Sequence, residues 1–262
     1  MINLIKKYMQ PTGITTGLFQ LMLPLALYLG ATSGAGWAWW VTAVFFYAVV
    51  YNMIGHNIGL HRCLMHGQFS VAKPIEWLFV WIGSMLMIGS PLSYSVTHVI
   101  HHKYPDTEFD PHGPIRGIKS MWMYFQKTVD LEETPIFSKR IVILMKKYGW
   151  LQTYYIPFVL VNALLLYLID YRIFLFCWFI PACIACWGIG WTVVIHHWGL
   201  KPRNSKINNY TILYEGLHKN HHDFPMAPNN AIRPGEIDWT YRFSKLFFPK
   251  YNWRGQPNLN ND

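Results

Sequence analysis

Charge is what this sequence has least of. Only 13% of its 262 residues are Asp, Glu, Lys or Arg, about half the share of a soluble domain. Such a chain cannot cover its surface with polar groups, so a water-soluble globule is excluded and an apolar solvent is implied. Negative charge is the scarcer sign, with 13 acidic residues against 22 basic ones. The basic excess is spread between apolar blocks instead of gathered into a patch. That argues against a nucleic acid partner and for Lys and Arg facing anionic membrane lipid. Cysteine is sparse too: Cys63, Cys177, Cys183 and Cys186, three of them within one apolar segment. This is no disulfide framework. The Cys183-x-x-Cys186 spacing lacks a second pair, and small packing residues of a membrane helix account for it. Nothing points to an oxidising compartment, and no internal repeat or low-complexity domain is present. The polar residues from Gln256 onward read as a frayed tail.

What is abundant is apolar length. The pattern predicts an all-α integral membrane fold with four transmembrane helices in two hairpins, at about residues 13–31, 36–60, 150–169 and 171–195. A cytosolic helical cap is expected over about 61–149 and 196–255, the whole forming a single domain, 1–262. Each run is near the ~20 residues a crossing needs. The turns fall at residues 32–36 and around Asp170 and Arg172, and Trp37, Trp39 and Trp40 suit an interfacial belt. A fifth apolar stretch, Ile75 to Tyr94, is broken by Gly83, Gly89, Ser90 and Pro91, and reads as interfacial or partly re-entrant. With four crossings, 21 of the 22 basic residues fall on one side and only Arg172 on the other. The positive-inside rule makes the richer side cytosolic. Lys6 and Lys7 before an apolar run could mark a cleaved signal. Removal would leave three crossings and spoil the parity, so an uncleaved anchor is expected.

Histidine is missing from the first 55 residues and from 113–195, yet the chain has 12 of them. They fall in four places: His56, His61 and His66; His98, His101, His102 and His112; His196 and His197; His218, His221 and His222. The spacing H-x-x-H-H occurs twice, at His98 and at His218. On a helix, positions i, i+3 and i+4 share an arc of ~100°, so each trio points one way. Two such trios in so apolar a chain call for a metal, and neutral imidazole suits Zn, Cu, Fe or Ni without choosing among them. His61 and His196 fall where the second and fourth crossings end. Nine imidazoles exceed one metal's coordination capacity, so two metals are implied.

At these residues the chain resembles the membrane fatty acid desaturases, most closely the acyl-CoA delta-9 (stearoyl-CoA type) branch. Residues 59–66, Gly-Leu-His-Arg-Cys-Leu-Met-His, are similar to that family's first histidine box. His98-Val99-Ile100-His101-His102 resembles the second, followed by the acidic run Asp106 to His112. Glu215-Gly216-Leu217-His218-Lys219-Asn220-His221-His222-Asp223-Phe224-Pro225 resembles the third, and His196 before Trp198-Gly199 the isolated ninth ligand. The resemblance implies metal ligands His61, His66, His98, His101, His102, His196, His218, His221 and His222. It implies no catalytic residue beyond them. Two registers stay open. His56 to His61 is also H-x4-H, though Gly59 and Arg62 favour the later pair and leave His56 as a packing neighbour. His197 competes with His196. Thr192 stands where the family often has an Asn that reaches one metal through water.

By the same resemblance the metals are two Fe ions that use O2 to remove hydrogens from a long acyl chain carried by CoA, acyl carrier protein or a lipid. Asp106, Asp110 and Glu215, with Glu108, are candidates to accept N–H bonds from ligating imidazoles, whereas His112 reads as structural. An acyl tunnel is expected between the second and fourth crossings near Trp187, Gly190 and Trp191, residues that interhelical or lipid packing would equally explain. No flavin, haem or iron–sulfur motif is present, so electrons are expected from an external donor such as ferredoxin or cytochrome b5, docked on the basic cytosolic surface. The expected location is a bacterial inner membrane or the endoplasmic reticulum. Hydroxylases, acetylenases and decarboxylases of alkyl chains share the scaffold. A His-rich metal transporter is the alternative from another class, but its ligands would sit near mid-membrane. A bis-histidine haem protein would need paired His within the crossings.

Overall fold

The computed structural model describes residues 12–111, 113–123, 138–196, 201–211 and 216–248. Among the described residues every regular element is helical. Helix α1 covers Thr12–Thr32, and α2, Trp37–Phe45, continues without a break as a π-helix over Phe46–Met65. Helices α3 (Lys73–Ser84) and α4 (Pro91–Lys103) follow, then a 3-10 turn at Gly117–Met121. Helices α5 (Lys139–Thr153) and α6 (Tyr155–Ile169) lead to α7 (Tyr171–Ile173), which passes through a π-helical stretch, Phe174–Phe179, into α8 (Ile180–His196). The short α9 (Lys206–Thr211) and α10 (His218–Asp223) precede α11 (Trp239–Phe247).

Among the described residues, three rods are long and apolar enough to cross a bilayer: Gly13–Thr32, Trp37–Met65 and Tyr171–Ile195. Their outward faces are mostly apolar, with Leu21, Leu25, Val41 and Val44 exposed. The same holds for α6, where Leu160, Leu168 and Ile169 face outward. Lipid is the solvent that tolerates such surfaces. All four cysteines are free thiols, as expected of packing residues.

Two expected boundaries move. The helix of the second expected crossing runs on past residue 60, in a rod 29 residues long that carries the first histidine box. The stretch 150–169 is not one straight helix, because Trp150 to Thr153 belong to α5, and α5 and α6 meet at a bend of 63°. Pro157 supplies a reason, since it has no N–H for the Thr153 carbonyl. Helix α6 is 15 residues, about 22 Å, so as a crossing it is short or needs the last turns of α5.

The stretch 75–94 is two helices, not one. Helix α3 has 12 residues, about 18 Å, too short to span. Between it and α4 the chain turns through Met87 (φ 63°) and Gly89 (φ 101°), buried throughout. Irregular backbone inside an apolar core must find partners, and this loop finds them on three elements. Thr15 and Thr16 hydroxyls donate to the Met87 carbonyl at 3.1 and 3.0 Å. Trp178 Nε1 donates to Met85 O at 2.9 Å, and the Tyr155 hydroxyl to Ser84 O at 2.9 Å.

Helix α3 holds the π-helix at glycine distance. A Cβ on Gly83 would come 2.5 Å from Leu60 Cγ, and one on Gly55 2.7 Å from Ile82 Cγ2. Gly83→Val is therefore expected to lower stability by about 1–3 kcal/mol, measured as the melting temperature in detergent. Gly149→Ala, where a Cβ meets only Met145 at 3.9 Å, should be neutral or stabilising by up to ~1 kcal/mol.

Candidate metal centre

Three chain segments bring imidazoles together. The first is the end of the long π-helix. Five residues along an α-helix turns a side chain by ~140° net, which would separate His61 from His66. In a π-helix each N–H bonds to the carbonyl five residues earlier, and the His66 N–H does so to His61 O at 2.9 Å. Residues five apart then stack on one face. The rings of His56 and His61 lie parallel at 6.2 Å, and those of His61 and His66 meet edge-on at 4.7 Å.

The second segment is α4. Its start is fixed by Ser90, whose hydroxyl accepts from the Ser93 N–H, and by Pro91 in the first turn. His98, His101 and His102 fall near its end, where the helix dipole favours a cation. The third is α10, one and a half turns carrying His218, His221 and His222.

Their Nε2 atoms form two groups. His61, His66, His98, His102 and His221 lie mutually within 4.8 Å, and so do His101, His218 and His222. In the first group the contacts close a ring: His61–His66 3.1 Å, His66–His98 3.1 Å, His98–His102 3.0 Å, His102–His221 3.0 Å and His221–His61 3.0 Å. Hydrogen bonds cannot account for it. Each contact needs one protonated and one bare nitrogen, and five members cannot alternate around a ring. A cation at the centre resolves this, because every nitrogen then offers a lone pair. With metal–nitrogen bonds of about 2.1 Å, ligands at right angles sit ~3 Å apart, the spacing found here. In the second group His222 Nε2 lies 3.0 Å from both His101 and His218. The groups share a wall, with the His102 and His222 rings 4.4 Å apart.

The remaining chemistry keeps the lone pairs available. His101 Nδ1 lies 3.0 Å from both oxygens of buried Asp110, which also accepts the Asp106 N–H at 2.8 Å. That bond holds the His101 proton on Nδ1 and turns Nε2 toward the cluster. Asp106 takes a left-handed conformation, φ 61°, to reach it. Burial first, then the neighbouring His102, His61, His66 and His101, pushes the His98 pKa well below the usual imidazole range, which favours its neutral form.

The other expected residues are placed as follows. His56 is in neither group; its ring meets Tyr94 edge-on at 5.4 Å, and Tyr94 stacks on His98 at 5.6 Å. Glu108 is exposed. Thr192 donates its hydroxyl to Gly188 O in its own helix at 2.8 Å. Gly190 is closed by the Met121 carbonyl, which a Cβ would meet at 2.1 Å, and Trp187 donates to Gln20 O at 2.9 Å and packs on Trp122. Trp191 is largely exposed. His112, His197 and Glu215, like the His196 side chain, lie outside the described residues. Sequence reasoning missed two carboxylate contacts beside the boxes, the buried pair of Arg62 with Asp238 and the part-buried contact of Asn220 with Glu236. Their partners are too distant in the chain for any spacing rule to join them.

Asp110→Asn keeps the shape of the contact with His101 and removes its charge. It is expected to weaken metal retention about 10–100-fold, measured by chelator competition. Asp223→Asn, at an exposed carboxylate paired with Lys219, should leave retention unchanged.

The comparisons with known proteins agree with this geometry. The sequence profile of the family described as "Fatty acid desaturase" matches residues 35–236, a stretch that contains both imidazole groups. The chain is 30% identical over 234 residues to an "Acyl-CoA C20 Delta5-desaturase" of Anemone leveillei, covering 84% of this chain and 74% of that protein. It is 27% identical over 207 residues to an "sn-2 palmitoyl-lipid 9-desaturase" of Nostoc sp. (strain 36), covering 73% and 72%. It is 25% identical over 259 residues to an "sn-1 stearoyl-lipid 9-desaturase" of Anabaena variabilis, covering 85% and 87%. Histidines clustered at the ends of apolar helices, and a family profile running across most of the chain, lead to one assignment: this chain belongs to the fatty acid desaturase family.

Proposed function

We propose that this chain is an O2-dependent fatty acyl desaturase that introduces a double bond into a long acyl chain at a His-ligated di-iron centre. The supporting observation is the odd ring of five imidazole nitrogens beside a second group of three. In this reading His61, His66, His98, His102 and His221 hold one iron. His101, His218 and His222 hold the other, with His196 completing it at the end of the fourth crossing. Once bound, the iron pair supplies the activation of O2 that lets hydrogens be taken from an unactivated alkyl chain.

The protein's own part is positioning. Asp110 fixes His101, and the π-helical register fixes His61 over His66. An alkyl chain offers no polar handle, so selectivity must come from holding it in an apolar track beneath the imidazoles, between the second and fourth crossings. We assign the whole chain to one membrane domain of four crossings, with the histidine boxes cytosolic in a bacterial inner membrane or the endoplasmic reticulum. Electrons then come from ferredoxin or cytochrome b5, docking on the basic face that includes the exposed Lys201, Arg203 and Lys206. The relatives' names cover both acyl-CoA and acyl-lipid substrates, and either carrier suits this scheme.

Expression in a desaturase-deficient host, with fatty acids profiled by mass spectrometry in the CoA and lipid pools separately, tests the reading. New unsaturated chains that vanish with His101→Ala are the expected result. Hydroxylated products or terminal alkenes would transfer the assignment to the related alkyl-chain hydroxylases or decarboxylases. Neutralising Lys201, Arg203 and Lys206 together should raise KM for the electron donor and flatten its salt dependence, leaving kcat at saturating donor unchanged.

A further inference from the structure

We propose that residues 228–238 form a strap whose two carboxylates, Asp238 and Glu236, set the spacing between the first and third histidine boxes and so position the five-imidazole iron site. The inference rests on the di-iron reading above and adds a role for residues outside the ligand set.

The strap begins at the first box. Arg62 follows His61 directly, and its guanidinium is buried, with a side-chain exposure of 2%. It donates in a fork to Asp238, Nη1 to Oδ2 at 2.9 Å and Nη2 to Oδ1 at 3.0 Å, and Nη1 also donates to Pro228 O at 2.9 Å. Asp238 accepts as well from the Asn230 N–H and, as the cap of α11, from the Tyr241 N–H, both at 2.8 Å. A planar fork on a carboxylate allows one relative orientation, which Lys could not impose.

The other end grips the third box. Asn220 precedes His221 directly, and its amide donates to Glu236 Oε2 at 2.7 Å and to Asn230 O at 2.8 Å. Glu236 also takes the Ile232 and Arg233 N–H groups, at 3.0 and 2.9 Å, which close the strap on itself. Asn230 thus bonds to both ends, through its N–H to Asp238 and through its carbonyl to Asn220. The neighbours of the two gripped residues, His61 and His221, have Nε2 atoms 3.0 Å apart. The first-box helix and α10 share no covalent connection shorter than the two intervening crossings. The strap is a direct polar link between them beside the imidazoles themselves.

The two ends of the strap reach the imidazole groups unequally. The Arg62 end adjoins only the five-imidazole group, through His61 on the first-box helix, whereas the Asn220 end holds α10, which carries His221 of that group and His218 and His222 of the other. Loosening the Arg62 end should therefore affect the five-imidazole site alone, and loosening the Asn220 end both sites with the helices intact, whereas a general role in folding would lose iron and helix together.

The test uses the full-length purified protein, with iron counted by elemental analysis and the two sites distinguished by Mössbauer spectroscopy. Asp238→Asn is expected to carry about one fewer iron per chain than the native protein, the missing signal being that of the five-imidazole site, with native helix content and a single dispersed species. Glu236→Gln is expected to lower chelator resistance at both sites about 10-fold or more, again with native helix content. Arg62→Lys, which keeps the charge and loses the fork, should behave like Asp238→Asn. If a change at the buried ion pair prevents accumulation, Glu236→Gln, which lies at the partly exposed end of the strap, carries the test alone. Native iron content and native chelator resistance in the variants would overturn the proposal, as would equal loss from both sites in step with lost helix. A native protein that itself holds fewer than two irons would instead sink the di-iron reading on which the strap depends.

Discussion

The constraint on which this structure depends is that eight imidazole nitrogens converge in two tight groups, one of five and one of three. Neutral nitrogens at 3.0 Å are tolerable as hydrogen-bonded pairs, but an odd ring leaves at least one pair with like atoms opposed. Desolvation and the neighbouring imidazoles also disfavour protonation, as at His98. Such an arrangement is suited to holding a cation. The surrounding architecture, from the π-helical register to the Asp110 contact, serves to keep lone pairs aimed inward.

Much of this was legible in the sequence because its signals are periodic and local. The two H-x-x-H-H trios need only an α-helix to share a face, and α4 and α10 supply it. The long apolar rods follow from composition alone. The first box was legible as a spacing but not as a geometry. H-x4-H on an α-helix points two ways, and only the i to i−5 bond at His66 brings its rings together. The bend before α6 did have a signal, Pro157, which hydropathy averaged over. The grip of Asp238 on Arg62 and of Glu236 on Asn220 had none, since each carboxylate is ordinary in its own neighbourhood and gains meaning from a distant partner.

The loop between α3 and α4 shows how an apolar core accepts irregular chain. Its carbonyls are capped by hydroxyl and indole groups from α1, α6 and the π-helical start of the last crossing. These are elements that have to pack together in any case. The polar residues of the spans are therefore not ornaments of the lipid-facing surface. Gln20 illustrates it: one amide bonds to Met121 O at 2.7 Å and Cys186 O at 3.1 Å while accepting from the Met123 N–H at 3.0 Å. A single side chain ties the 3-10 turn to two rods.

Both imidazole groups draw on α10 as well as on α4. During synthesis the ribosome delivers α4 long before α10, with the last two apolar helices made in between. Neither group is complete until α10 has emerged. A metal held there would therefore be acquired late in biogenesis, and a nascent or truncated chain would present half-built imidazole sets to the cell's quality-control machinery.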